Sequence, residues 1–89
     1  MEPDALCTCP CCGYQTLTSE YDICDICWWQ HDLAQEIDPD SGIGANHVSL
    51  RQAQSNFRRF GASHEDHASS ARRPTNEDVR NPSWKPLDG

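Results

Sequence analysis

A small α+β domain is the fold class that the sequence predicts, and three observations predict it. Two Cys-x-x-Cys pairs, Cys9 with Cys12 and Cys24 with Cys27, are separated by eleven residues. Between them Tyr14-Gln-Thr-Leu-Thr alternates as a strand does, with Tyr14, Thr16 and Thr18 on one side and Leu17 on the other. Further on, Leu50, Ala53, Phe57 and Phe60 recur at the spacing of one apolar helical stripe. Two or three short antiparallel strands, closed by a shared metal ion and packed on one amphipathic helix, satisfy all three. That arrangement is a zinc ribbon carrying a helix, and it assigns residues 1–63 to the domain and 64–89 to an extended or partly disordered tail.

The cysteine pairs come first because they decide the rest. Each Cys-x-x-Cys forms a tight turn that points two thiolates at one ion, and Gly13 directly after the first pair gives the backbone room to turn. Two such turns make a closed tetrahedral set from Cys9, Cys12, Cys24 and Cys27. The expected cofactor is one Zn²⁺ per chain; iron in a rubredoxin-like site is the alternative of equal geometry. After the first strand, Glu20-Tyr-Asp-Ile is expected as a second, leading into the second pair. Residues 28–40 read as a short helical segment or a loop, and 38–47, dense in turn formers, as a loop. The helix is expected over 49–60. Ser49 is an N-cap with Gln52 three residues on, Arg58 and Arg59 complement the dipole in the last turn, and Gly61 ends it. Leu17, Ile23, Ile26, Trp28, Leu50, Ala53, Phe57 and Phe60 form the expected core.

Composition bounds the function. Leu, Ile, Val and Phe number thirteen of 89 residues, a thin core for a chain of this size, so a metal staple is needed. No stretch approaches a membrane span, and the acids near Met1 do not suit a secretory leader. The expected location is therefore cytoplasmic, where cysteines stay reduced and bind metal. The net charge of −7 argues against general nucleic-acid binding. Charge is also segregated. Residues 1–46 hold nine acids and no Lys or Arg, whereas all seven bases lie in 51–89. The two halves either neutralise each other on folding or leave an acidic face, with Asp32, Glu36 and Asp40, for a basic protein partner.

Other residues raise narrower possibilities. Of the adjacent Trp28 and Trp29, one is expected over the metal loop and Trp29, left exposed, as an interaction anchor. Cys11 is expected inside its turn as a small hydrophobe and Cys7 as a surface thiol; a redox role for Cys7 and Cys11 is the alternative, disfavoured by the surrounding acids. His64 and His67 form an H-x-x-H that reads as solvated surface before it reads as a second metal site. The chain has no Gly-rich phosphate loop, no H-E-x-x-H and no zinc-deaminase pattern, so no catalytic residue is expected.

The run Cys9-Pro-Cys-Cys-Gly-Tyr-x-Thr-Leu, then Tyr21-Asp-Ile-Cys-x-x-Cys-x-Trp and Asp38-Pro-Asp, resembles the bacterial cysteine-rich CPCC family. The likeness continues through Gly44-Ala-Asn-x-Val-Ser-Leu-x-x-Ala-x-x-Asn-Phe-x-x-Phe-Gly-Ala, covers 9–63 well, and thins towards Val79-Arg-x-Pro. The resemblance implies a small stand-alone domain that binds metal through its cysteines, and implies no particular activity. Its matched positions are Cys9, Cys11, Cys12, Cys24, Cys27, Trp29, Asn46, Ser49, Asn56, Phe57 and Gly61. Two departures stand out: Gln30-His31-Asp32 replaces the acidic run that commonly follows the second pair, and Cys7 lies outside the pattern. Asn46 is expected to bond loop backbone and Asn56 to tie the helix to the ribbon. The expected function is thus a non-enzymatic, structural-zinc interaction or regulatory module. A nucleic-acid-associated ribbon using Arg51, Arg58 and Arg59, and a thiol-redox or metal-handling protein, are the alternatives.

Overall fold

The computed structural model describes residues 6–87. Two strands, β1 (Cys7–Thr8) and β2 (Gln15–Leu17), pair antiparallel, with Cys7 opposite Leu17 and Thr8 opposite Gln15. Helices α1 (Leu33–Ile37) and α2 (Leu50–Phe60) follow, then one 3₁₀ turn over Glu65–His67. The fold is α+β with a two-stranded sheet, as the sequence predicts at that level.

The expected strand at Glu20–Ile23 does not form. Asp22 turns back, and its carboxylate accepts from both the amide and the hydroxyl of Thr18. Tyr21 adopts a left-handed backbone (φ 69°), which no strand continues through. Of this segment only Ile23 pairs with another strand-like residue, in an isolated bridge to Gln30. The partner of β2 comes instead from Cys7–Thr8, before the first cysteine pair.

Helix α2 forms where expected. Ser49 Oγ accepts from the Gln52 amide, and Gly61 closes the C-terminus in the left-handed region (φ 84°). The Gln52 side chain does not complete a capping box; it donates to Asn56 instead. A second helix, α1, was open in the sequence between helix and loop. Asp32 caps it, accepting from the amides of Ala34 and Gln35. The expectation of a single helix is thus corrected among the described residues.

The core is built around sulfur. Cys9, Cys11, Cys12, Cys24 and Cys27 are buried together with Leu17, Ile26, Trp29, Leu50 and Ala53. Three expected members are corrected. Ile23 (41% exposed) and Phe60 (38%) lie at the surface, and Trp28 is only half-buried, while its neighbour Trp29 is fully enclosed. The chain after 63 runs over the cysteine turns. Val79 O accepts from the Gln15 amide, Gly13 O from the Asn81 amide, and Leu87 packs against the core. No helix among the described residues is long and apolar enough to cross a membrane.

Candidate metal centre

The two cysteine turns share one backbone design. In the first, the Gly13 amide donates to Cys9 O and the Cys9 amide to Tyr14 O; in the second, the Trp28 amide donates to Cys24 O and the Cys24 amide to Trp29 O. The residue after each second cysteine must therefore be left-handed: Gly13 at φ 84°, Trp28 at φ 69°. Glycine takes that conformation freely, and a bulky residue does so at a cost of about 1–2 kcal/mol. At Gly13 space also forbids a side chain, because a Cβ would lie 2.5 Å from the Trp84 ring. At Trp28 the outward turn has its own support: Nε1 donates to Ser70 O, and the ring stacks on His67. The same turn explains the exchange of roles between the tryptophans. The left-handed step sends Trp28 outward, and the following residue, back in extended conformation, enters the core.

The turns bring Cys9, Cys12, Cys24 and Cys27 together, with all four Sγ atoms within 4.8 Å of one another. Cys9 and Cys27 are 3.5 Å apart, Cys12 and Cys24 3.8 Å. Sulfurs about 2.3 Å from a tetrahedral metal lie about 3.8 Å from each other, so these two pairs already lie near that spacing and the whole set, within 4.8 Å, is compact enough to close on one ion. Burial pushes the thiols of Cys9 and Cys27 well above their usual pKa. Cys24 moves the other way, because the neighbouring thiols of Cys12, Cys27 and Cys9 and the Thr16 hydroxyl favour its thiolate; Cys12 Sγ lies at 3.8 Å and the Thr16 hydroxyl donates at 3.0 Å. A dication held by these sulfurs would supply the positive charge that stabilises buried thiolates. Soft donors, tetrahedral spacing and closure fit a structural thiolate-bound metal, and the donor set alone does not separate zinc from iron.

The carbonyls of the turns are satisfied from elsewhere in the chain. Pro10 O accepts from Gln54 Nε2 on α2 and from Trp84 Nε1 in the tail. Cys27 O accepts from the Ser63 amide and Ile26 O from the Arg72 amide. Asn56 Nδ2 reaches Ser63 O, so this buried residue ties α2 to the segment that holds the second turn.

The remaining sequence candidates fall in different places. Cys11 is buried in the first turn, and Cys7 is exposed on β1; none of the six cysteines is in a disulfide. Trp29 is no exposed anchor: its indole is enclosed and donates to Glu36 Oε2 at 2.9 Å. Glu36 also accepts from or pairs with His31 Nδ1 at 2.8 Å. Asp32 is buried, and its carboxylate takes the amides of Ala45, Ala34 and Gln35, which lowers its pKa. Asp40 alone of the three proposed interaction acids faces solvent, and it pairs with Arg51 at 2.7 Å. The expected acidic face over Asp32, Glu36 and Asp40 is therefore corrected. Two of its members are internal hydrogen-bond acceptors.

Sequence reasoning missed Gln35. It is fully buried; its Nε2 donates to Ser41 O and Val48 O, and its Oε1 accepts the Asn46 amide and Asn46 Nδ2. Asn46 in turn clasps the backbone of Gln30 through both ends of its side chain. The signal was present: Asp32 followed three residues later by Gln35 is a capping pattern. No buried side-chain nitrogen or oxygen among the described residues lacks a partner.

Comparison with protein families matches the model described as Cysteine-rich CPCC to residues 7–78. That span begins at Cys7 and runs past the 9–63 region that carried the resemblance. No curated protein matches the chain.

Proposed function

The chain belongs to the cysteine-rich CPCC family, and on that premise we propose that it is a small non-enzymatic metalloprotein with one structural zinc. In this reading the fold is zinc-ribbon-like, and the surface serves protein interaction or regulation. The observation that carries the reading is closure. All four sulfurs are buried, each at 2% exposure or less. A catalytic zinc keeps an open position for water or substrate, whereas a structural one is enclosed by four protein ligands. Zinc is preferred to iron because a buried structural site asks for no redox change. With the metal confined to holding the fold, the function belongs to the surface.

The test has two parts. Protein purified without added metal is analysed by native mass spectrometry and elemental analysis. One zinc per chain is expected, with loss of tertiary structure when a chelator removes it. Two metals per chain, or a metal-free chain that stays folded, would overturn the structural role. Zinc-loaded protein is then used to capture candidate partners, each of which must form a binary complex when purified. Failure of every reconstitution would overturn the interaction reading.

A further inference from the structure

The bases of this acidic chain divide sharply by their partners. Arg51 pairs with Asp40, and Arg72 pairs with both Asp25 and Asp78. Arg58, Arg59, Arg73 and Arg80 form no ion pair among the described residues, and all four are exposed. They are not scattered. Arg58 and Arg80 border a cavity of about 290 Å³ between α2 and the tail, beside Tyr14 and Trp84. Arg59 and Arg73 border a second, of about 440 Å³, beside Phe60. The two cavities share Phe57 and Pro74, so they form one groove along the C-terminal half of α2. No acid lines either part.

Two of the four guanidinium groups, one in each part, are also held in place. Arg80 lies over the Trp84 ring at 5.2 Å and Arg59 over the Phe60 ring at 5.9 Å. Stacking of this kind fixes the plane of a guanidinium and leaves its N–H edge free for a carboxylate. An apolar floor of Phe57 and Pro74 flanked by unpaired cations, one in each part oriented by a ring, matches a ligand that alternates apolar and anionic groups. We propose that this groove binds an extended acidic segment of a partner protein. Its carboxylates meet Arg58 and Arg80 in one half and Arg59 and Arg73 in the other, and an apolar side chain rests on Phe57 and Pro74.

This inference rests on the interaction reading and names its partner class. A nucleic acid is the poorer match for two reasons. Its continuous phosphates would extend beyond the groove onto a chain whose first 46 residues carry nine acids and no Lys or Arg. Base stacking needs free aromatic faces, and the rings of Trp84 and Phe60 already carry Arg80 and Arg59. A peptide can confine its charge to the groove.

The test uses the zinc-loaded full chain and fluorescence anisotropy of labelled decapeptides. The probes are an alternating Glu/Leu peptide, the same peptide with Gln or with Lys in place of Glu, and a single-stranded oligonucleotide. The Glu/Leu peptide is expected to bind, more weakly as salt rises. The double variant Arg58→Glu with Arg80→Glu is expected to weaken it by about tenfold or more. Lys85→Glu, which reverses a charge outside both cavities, should change affinity by less than about twofold. Equal binding of the Gln peptide, an unaffected double variant, or tighter binding of the oligonucleotide each overturns the proposal. Binding of the Lys peptide in place of the Glu peptide overturns the groove and leaves the interaction reading standing. Should the double variant fail to fold, the Glu-against-Gln comparison and the salt dependence of the unaltered chain still decide.

Discussion

Substitution of Gly13 by alanine tests the joint between the metal turns and the tail. Two costs add at this position. The left-handed backbone (φ 84°) charges a non-glycine residue about 1–2 kcal/mol. The new Cβ would also lie 2.5 Å from one Trp84 ring carbon and 2.7 Å from another. An ordinary contact needs more than 3.4 Å, so the indole must retreat and loosen its hydrogen bond to Pro10 O. Overpacking of this kind costs about 1–3 kcal/mol. Gly13→Ala should therefore destabilise the zinc-loaded protein by roughly 2–5 kcal/mol, the sum of the two ranges. The decisive comparison repeats the substitution in a Trp84→Ala background, where only the backbone cost of about 1–2 kcal/mol remains. Urea unfolding at buffered free zinc measures both, since zinc binding shifts apparent stability by mass action. Equal costs in the two backgrounds would refute the packing of Trp84 on the first turn.

Native zinc-loaded protein should expose one fast-reacting thiol, Cys7, because the other five cysteines are buried; two fast thiols on mass-spectrometric labelling would place Cys11 at the surface. Glu36→Ala should cost about 1–3 kcal/mol by leaving the enclosed Trp29 indole N–H without an acceptor, read by thermal unfolding; an unchanged Tm would free Glu36 for a recognition role. Asp32 should titrate below the ordinary carboxylate value, held down first by the Ala45 amide. Its folded pKa is depressed, so its stabilisation is present above about pH 4 and lost as pH falls through the lowered value. Carboxyl-detected NMR with an ordinary midpoint for Asp32 would contradict the three-amide cradle. Removal of residues 79–89 should leave zinc stoichiometry at one but speed metal loss to a chelator, because Asn81 and Trp84 no longer cover the first turn; an unchanged rate would separate the tail from the site.

What the sequence made legible follows from the range of the interaction. The cysteine pairs are local, with every turn bond within five residues, so Cys9, Cys12, Cys24 and Cys27 could be read together. Helix α2 is local too: Ser49, the apolar stripe and Gly61 all act within a few turns. The misreadings have a different origin. Glu20–Ile23 looks like a strand by residue type, but the Asp22 side chain competes for the backbone and closes a turn. The tryptophan exchange could not be seen because Trp28 breaks the glycine rule that Gly13 keeps. The acids misled for a similar reason. Asp32 meets the Ala45 amide only when the loop after α1 folds back, and Glu36 meets the Trp29 indole only when α1 packs against the second cysteine turn, contacts that charge counting does not register.

The contacts around the cysteine turns also bear on how metal and surface are linked. The core of this chain includes the four cysteines placed to bind one metal ion, and in the proposed reading a structural zinc would supply roughly 10–16 kcal/mol, as it does in isolated fingers, as much as the whole stability of an ordinary domain. Pro10 O is shared by Gln54 of α2 and Trp84 of the tail, and the second turn is bonded to Ser63, Ser70 and Arg72. Those same segments form the two walls of the arginine-lined groove, with Arg58 on α2 and Arg73 and Arg80 in the chain that follows. Loss of a metal held by the four cysteines would remove a reason for the turns to stay closed, and would loosen the carbonyls that anchor both walls. If both proposals hold, a partner that reads the groove would also read the metal state of the protein, without ever touching the metal.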